Sequence, residues 1–87
     1  MYIILVYDVG EKRVGKMLKL CRQYLNWIQN SVLEGELSEA KLRELKTRIN
    51  AIINNEEDSV IVFTNKIGYN MNKEILGKER MTTDNFL

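Results

Sequence analysis

The chain has 87 residues, of which 45% are hydrophobic and 29% are charged, with 13 basic against 12 acidic side chains, no His and no Pro. This composition suits one small globular domain and argues against a disordered or fibrous chain. The absence of histidine excludes Ser-His and Cys-His nucleophilic pairs, paired-histidine ribonuclease chemistry and the usual zinc sites. Any hydrolysis must therefore depend on carboxylates, tyrosines or a hard metal ion.

The single cysteine and the first ten residues bear on the cellular compartment. Cys21 cannot close a disulfide within the chain. The apolar run in residues 1–10 is too short for a membrane or signal segment, and it is interrupted by Asp8. We therefore expect a cytoplasmic protein with no membrane partner.

The first predicted element is a strand. Residues 2–9 form a continuous run of apolar, β-branched and aromatic side chains, which is typical of a central strand buried on both faces. Asp8 would share a strand face with Ile4 and Val6. Its carboxylate is therefore expected where this central strand reaches the edge of the sheet.

A helix is predicted next, from Glu11 to Asn26. Its apolar residues recur at helical spacing and form one stripe: Val14, Met17, Leu18, Cys21 and Leu25. Because Cys21 falls inside this stripe, it is interpreted as a small hydrophobic residue rather than a nucleophile. The basic residues lie largely on the opposite side.

Trp27 to Glu34 is rich in strand-forming residues and predicts a bent strand or hairpin, with Gly35 as a bulge or turn. On such a strand, Gln29 and Ser31 would share one face with Trp27 and Leu33.

Two further elements and a tail complete the pattern. Ser38 is a good N-cap for a second helix, which is predicted to end near residues 54–55. Ser59 to Thr64 predicts another short buried strand, and Asn72 to Leu76 predicts a short last strand.

The order of elements is that of an α+β ferredoxin-like fold, β-α-β-β-α-β, with two helices on one face of a mainly antiparallel sheet and a C-terminal strand or tail. The whole chain, residues 1–87, is one domain. A second copy of the chain would be a natural cover for the sheet face without helices.

The first helix carries a cluster of cations: Lys12, Arg13, Lys16 and Lys19. Cations in the first turn are disfavoured by the helix dipole, and a phosphate backbone beside them would relieve this. An ordinary solvated face explains the same residues equally well.

Asp8 has two interpretations. It could cap the following turn or helix. It could also be a ligand of Mg²⁺, which takes carboxylate oxygens and keeps several of its waters. One Asp is a weak metal site, whereas two Asp8 side chains brought together by a two-fold axis would be a credible one.

Several segments resemble the Cas2 family of CRISPR-associated adaptation proteins: the strand end Tyr7-Asp8-Val9, the basic segment KRVGKMLKLC, the run WIQNSVLEGEL and the late EEDSVIVF. The resemblance implies a homodimer of ferredoxin-like subunits that acts in spacer acquisition, binds double-stranded DNA and joins subunits of the adaptation integrase. Some members of the family are metal-dependent endonucleases that act on single-stranded RNA or double-stranded DNA.

The resemblance also implies roles for three residues. Asp8 matches the metal-binding aspartate at the dimer axis, Arg13 a functional arginine of the first helix, and Ser31 the serine of a Q-x-S motif. Trp27 stands where some members have arginine, and Leu33 where many have phenylalanine, and both departures bear on catalysis. The segment 66–87, ending in MTTDNFL, resembles an extension that pairs with the partner's sheet edge.

Two alternatives to the metal-dependent nuclease stay open at this point. One is a DNA-bridging scaffold without catalysis. The other is a ferredoxin-like regulatory module or a toxin-type ribonuclease of the virulence-associated protein D kind.

Overall fold

A computed structural model describes residues 1–65 and 71–79 of the chain. Within these residues the elements are, in chain order, β1 (Tyr2–Asp8), α1 (Glu11–Cys21), β2 (Asn26–Gln29), β3 (Val32–Glu36), α2 (Glu39–Ile52), β4 (Ser59–Asn65) and β5 (Asn72–Gly77). The strands form one sheet in the order β2-β3-β1-β4-β5, and all neighbouring strands are antiparallel. This confirms the predicted ferredoxin-like α+β fold, with β1 at the centre.

One face of β1 belongs to the hydrophobic core. Ile3, Leu5 and Tyr7 are buried, as alternation along a strand requires. The two helices join the same core cluster through six buried side chains: Met17, Leu20 and Cys21 from α1, and Leu42, Leu45 and Ile49 from α2. The core therefore lies between the helices and one face of the sheet.

The opposite face of the sheet, which we call the outer face, is only half buried. Its residues lie in cross-strand rows, because residues that face one another on antiparallel strands share a face. One row holds Val32, Val6, Ile61 and Ile75, and the next holds Glu34, Ile4, Phe63 and Lys73. All eight side chains are of intermediate exposure. The prediction that β1 is buried on both faces is therefore wrong for a single chain.

Helix α1 is shorter than predicted, ending at Cys21 rather than Asn26. Two backbone N–H groups, of Tyr24 and Leu25, donate to the Cys21 carbonyl at 3.0 and 2.8 Å and turn the chain out of the helix. The buried face is also rotated from the prediction, since Leu20 is buried and Val14 is 39% exposed.

The predicted hairpin is present, but its turn is elsewhere. β2 and β3 are joined at Asn30 and Ser31, and Asn30 has a φ of 41°. Asparagine tolerates this left-handed conformation better than most residues. Gly35 lies inside β3, opposite Ile3 in a regular register, so its assignment to a bulge or turn is wrong.

The expectation that Gln29 and Ser31 share one face with Trp27 and Leu33 is also wrong. Trp27 and Leu33 are cross-strand partners, but a bulge between Trp27 and Gln29 shifts the register. Ser31 belongs to the turn. Alternation cannot be followed through a bulge and a turn.

The helix and strands in the second half of the chain agree closely with those predicted from the residue pattern. The Ser38 hydroxyl accepts a hydrogen bond from the Lys41 backbone N–H at 3.1 Å, which confirms the N-cap. β5 pairs with β4 of the same chain. Residues 66–70 and 80–87 lie outside the described residues, so pairing of the tail with a partner stays a prediction. In the described ranges, no helix has the length and apolarity needed to cross a membrane.

Candidate metal and nucleic-acid site at the end of β1

Asp8 is the last residue of β1 and is exposed. It lies on the outer face, two positions beyond Val6 along the strand and opposite Ser59 of β4. A pocket of about 460 Å³ borders it, whose other lining includes Glu57 and Lys78. The carboxylate is thus at the margin of the half-buried apolar rows, where water and ligands reach it.

The donor chemistry of Asp8 suits Mg²⁺, but one chain supplies no cluster of metal ligands among its described residues. Among the described residues, no group of three or more His, Cys, Asp or Glu side chains is placed to hold a metal ion. A carboxylate oxygen is the donor that Mg²⁺ prefers, and one or two carboxylates suffice when waters fill the other positions. Asp8 alone is therefore a weak metal site within one chain, and a second carboxylate beside it would make the site stronger.

Ser31 lies at the same end of the sheet as Asp8. Its carbonyl accepts a hydrogen bond from the Tyr7 backbone N–H at 3.1 Å. Burial raises the pKa of the Tyr7 hydroxyl, whereas a hydrogen bond with the Ser31 side chain lowers it. The hairpin turn therefore brings Ser31 next to Tyr7, the residue that precedes Asp8.

Arg13 also lies near this end, but its guanidinium is engaged by a carboxylate. Its Nε and Nη2 atoms pair with the two oxygens of Asp58 at 2.5 and 3.0 Å, and Nη2 also contacts Glu57 at 3.0 Å. Only 22% of the Arg13 side chain is exposed. The guanidinium of Arg13 thus stabilises the fold through its carboxylate partners. A role for Arg13 in binding phosphate stays a prediction.

Asp58 is the centre of this arrangement and is fully buried. Besides Arg13, its carboxylate accepts hydrogen bonds from the backbone N–H groups of Gly10 and Asn54 at 2.8 and 2.9 Å. Its own carbonyl accepts from the Lys78 N–H at 2.7 Å. One side chain and its backbone therefore join the start of α1, the end of α2 and the end of β5.

The charge of Asp58 is stabilised by these donors. Hydrogen bonding to Arg13 holds the pKa of the carboxyl well below its ordinary value, against the effect of burial, which raises it. The N–H groups of Asn54 and Gly10 lower it further. A buried carboxylate stays ionised when it is paired and its oxygens accept several hydrogen bonds.

Two glycines leave room for the Asp58 contacts. A Cβ at Gly10 would come within 2.5 Å of the Arg13 Nη2 atom. Gly77 has a φ of +83°, which disfavours other residues, and a Cβ there would lie 2.3 Å from the Asp58 carbonyl oxygen. Glycine at these two positions therefore lets the loop after Asp8 and the end of β5 pack closely against Asp58 and Arg13.

Sequence reasoning included Asp58 only as part of the segment EEDSVIVF and missed its role. A signal was present in α1, because Arg13 is one helical turn before Met17 and therefore lies on the buried face. An arginine on a buried face requires an anion beside it. The acid directly before the buried strand β4 is the natural partner.

The predicted nucleic-acid-binding lysines are exposed along α1: Lys12, Lys16 and Lys19. None of them takes part in an ion pair with the described residues. Lys16 and Lys19 line a groove of about 360 Å³ between α1 and α2, together with Arg48, a cation that sequence reasoning did not include. This basic groove is on the helix side of the sheet, whereas Asp8 is on the outer face.

Cys21 is a buried core residue, as predicted. Burial raises the pKa of its thiol to about 12, so the thiolate that a nucleophile requires is absent at neutral pH.

Comparison with known proteins establishes the family. Residues 1–71 match the family described as CRISPR associated protein Cas2. The chain belongs to the Cas2 family. This membership also decides against the regulatory-module and toxin-type alternatives.

Curated Cas2 relatives align over most of this Cas2 chain. A protein named CRISPR-associated endoribonuclease Cas2 from Dictyoglomus turgidum is 49% identical over 87 residues, covering all of both chains. One of the same name from Thermotoga maritima is 51% identical over 80 residues, covering 92% of each chain. A crystal structure of a Cas2 is 41% identical, with a TM-score of 0.69 over 94% of this chain and 80% of that one.

Proposed function

We propose that this Cas2 chain acts in CRISPR adaptation as a homodimer that cleaves phosphodiester bonds of nucleic acid with the help of Mg²⁺. One observation carries the proposal: Asp8 is an exposed carboxylate at the margin of the half-buried outer face. A partner seated on that face, with the two-fold axis beside Asp8, would bring its own Asp8 to the same site.

The outer face supports pairing of two chains. Six of the eight side chains in its two central rows are apolar, and all are only half buried in one chain. Contiguous exposed apolar surface of this kind marks an interaction site in a soluble protein. In a closed dimer the same patch meets itself, so each chain would contribute an equivalent Asp8.

The residues near the end of β1 would have separate roles in cleavage. The two Asp8 carboxylates would hold the ion, and without it they would repel each other. When bound there, Mg²⁺ would lower the pKa of a water molecule and neutralise charge on the phosphoryl oxygens. Lys12, exposed in the first turn of α1, would bind a neighbouring phosphate, and Ser31 would donate a hydrogen bond to a phosphate oxygen.

RNA is the first substrate to test, because the curated relatives are named endoribonucleases. Double-stranded DNA is the second, since the family resemblance implies it. Asp58 and Arg13 would hold Gly10 and thus the loop after Asp8 in place.

Removing the metal is expected to abolish cleavage. Wild-type protein should cut labelled single-stranded RNA or duplex DNA in Mg²⁺ and show no activity after EDTA treatment, because no histidine is present to replace the metal. Gel analysis of both substrates, with excess Mg²⁺ added back, measures this. Cleavage that persists in EDTA would refute the proposal.

A scaffold function without catalysis is the second candidate. Its supporting observation is the basic groove of Lys16, Lys19 and Arg48, which is on the opposite side of the sheet from Asp8. Such a groove would contact the phosphates of bound duplex DNA while the dimer joins the integrase subunits. The two functions are compatible, because their surfaces are separate.

Replacing Lys16 and Lys19 with alanine is expected to weaken duplex binding by the same factor for every DNA sequence, because both lysines would contact phosphates. If each lysine neutralises one phosphate, the slope of log K against log salt should become less steep by about 1.8. Fluorescence anisotropy at several salt concentrations measures the slope. Lys41→Ala is the control, since Lys41 is exposed on α2 and pairs with Glu44. An unchanged slope in the double variant would exclude the groove.

A further inference from the structure

Trp27 is the only tryptophan of the chain, and it is 48% exposed. It lies on the edge strand β2, opposite the fully buried Leu33 of β3. Large aromatic side chains are usually much more buried than this, because they offer so much apolar surface. The Trp27 side chain therefore lies on the same sheet face as Leu33, with about half of its surface open to solvent.

The indole ring is held in a defined orientation. Its Nε1–H donates to the Asn30 carbonyl at 2.9 Å, across the hairpin turn. The Arg22 guanidinium lies 5.5 Å from the ring centroid, at the distance of a cation–π contact. An exposed ring that is fixed by two contacts has already lost the freedom that binding would otherwise cost.

Positive charge lies beside the ring. Arg22, the C-cap residue of α1, contacts the ring, and together with Lys19 of α1 it lines a shallow depression of about 280 Å³. Within the described parts of the chain, neither side chain takes part in an ion pair. A fixed aromatic ring next to cations without a carboxylate partner favours a ligand with both a flat π surface and negative charge. Single-stranded nucleic acid has both.

We propose that Trp27 is a stacking platform for an unpaired base, with Lys19 and Arg22 binding the flanking phosphates. The proposal rests on the proposed nucleic-acid function and specifies a single-stranded part of the substrate. A base inside a duplex is stacked on its neighbours and has no free face, whereas an unpaired base stacks on an aromatic ring without regard to sequence. The hairpin turn at Asn30 helps to hold the ring, because the Asn30 carbonyl accepts the indole N–H.

Intrinsic fluorescence tests this directly, because every tryptophan photon comes from Trp27. Wild-type protein is titrated in EDTA, which prevents metal-dependent cleavage, with single-stranded RNA of about 8 nucleotides and with a duplex of the same sequence. We expect saturable quenching by the single strand and little by the duplex. Equal quenching by both, or none by a single strand that anisotropy shows to be bound, would overturn the proposal.

Substitutions separate stacking from charge. Trp27→Leu is expected to lose roughly 5- to 100-fold in affinity for the single strand, whereas Trp27→Phe retains most of it. Ile28→Ala is the matched control, since Ile28 is the adjacent residue and is 49% exposed. Duplex binding should be the same in all three variants, which also checks that they fold.

Binding by Trp27→Leu and by the wild type separates the stacking proposal from the proposed nucleic-acid function. A Trp27→Leu variant that binds the single strand as the wild type does would refute stacking and leave the proposed function intact. Failure of the wild type to bind any nucleic acid would refute both.

Discussion

Replacing Asp58 with alanine is expected to lower the free energy of unfolding by about 3 kcal/mol or more, the usual cost of removing one partner from a buried ion pair. The loss has a clear structural cause. The variant leaves the Arg13 guanidinium without its buried anion, and it leaves the N–H groups of Gly10 and Asn54 without an acceptor. The start of α1 and the end of α2 would lose their common contact, whereas the backbone hydrogen bond from Lys78 to the carbonyl of residue 58 would remain. Chemical denaturation followed by circular dichroism measures the change.

Two variants complete this experiment. Asp58→Asn keeps the shape of the side chain and one acceptor oxygen, so it should be destabilised less than the alanine variant and remain folded. Glu57→Ala is the control, because Glu57 contacts the same arginine but its side chain is 64% exposed. An exposed pair is worth about 1 kcal/mol or less. Equal destabilisation by Glu57→Ala and Asp58→Ala would contradict the central role of Asp58.

The stability that Asp58 provides is expected to depend on pH in one direction. Its pKa is lower in the folded chain than the ordinary value of 3.8. The contribution is therefore fully present above that value and is lost as the pH falls below it, because protonation removes the charge. The difference in unfolding free energy between wild type and Asp58→Ala should shrink on acidification. A difference that stays constant through this range would show that charge is not the cause.

Asp8→Asn is expected to reduce metal-dependent cleavage by roughly 100-fold or more, since even changes around a metal ligand cost 10- to 100-fold. The fold should be unaffected, because Asp8 is exposed at the end of its strand. Dimers should form at least as well, since two facing carboxylates no longer repel each other. Cleavage rates at saturating Mg²⁺, with binding measured separately, test this.

The control for Asp8→Asn is Glu36→Gln. Glu36 is exposed on β3 opposite Tyr2, a residue whose side chain lies on the same outer face as Asp8 but at the other end of β1. Glu36 is thus an exposed carboxylate like Asp8, but it lies at the opposite end of β1. Normal cleavage by Asp8→Asn would contradict the proposed role of Asp8 as metal ligand, and loss of cleavage in both variants would point to a general charge effect.

Much of the fold follows from local patterns. The apolar run of β1, the cap at Ser38 and the SVIVF segment of β4 each predict an element that the structure confirms. These patterns are reliable because burial of alternate or helically spaced side chains acts over a few neighbouring residues. The order of elements then limits the topology to few choices.

The errors occur where contacts distant in sequence or special backbone conformations decide. α1 ends early because the N–H groups of Tyr24 and Leu25 bond to Cys21. The hairpin turns at Asn30, and not at Gly35, because the ladder with β1 continues through Gly35. Periodicity of apolar residues carries no information about either feature.

The candidate site was predicted unevenly for the same reason. The position of Asp8 follows from strand alternation alone. The engagement of Arg13 does not, because Asp58 lies 45 residues away in sequence. Only the position of Arg13 on the buried side of its helix indicated a hidden acid.

Counting bound metal ions tests the dimer-shared site most directly. The protein is titrated with Mn²⁺, a paramagnetic substitute for Mg²⁺, and free ion is measured by electron paramagnetic resonance on samples whose dimer mass is established. Two Asp8 carboxylates that share one site predict one ion per two chains in the wild type and none at that site in Asp8→Asn. One ion per chain, or the same binding by Asp8→Asn, would contradict a site made by pairing Asp8 with its counterpart.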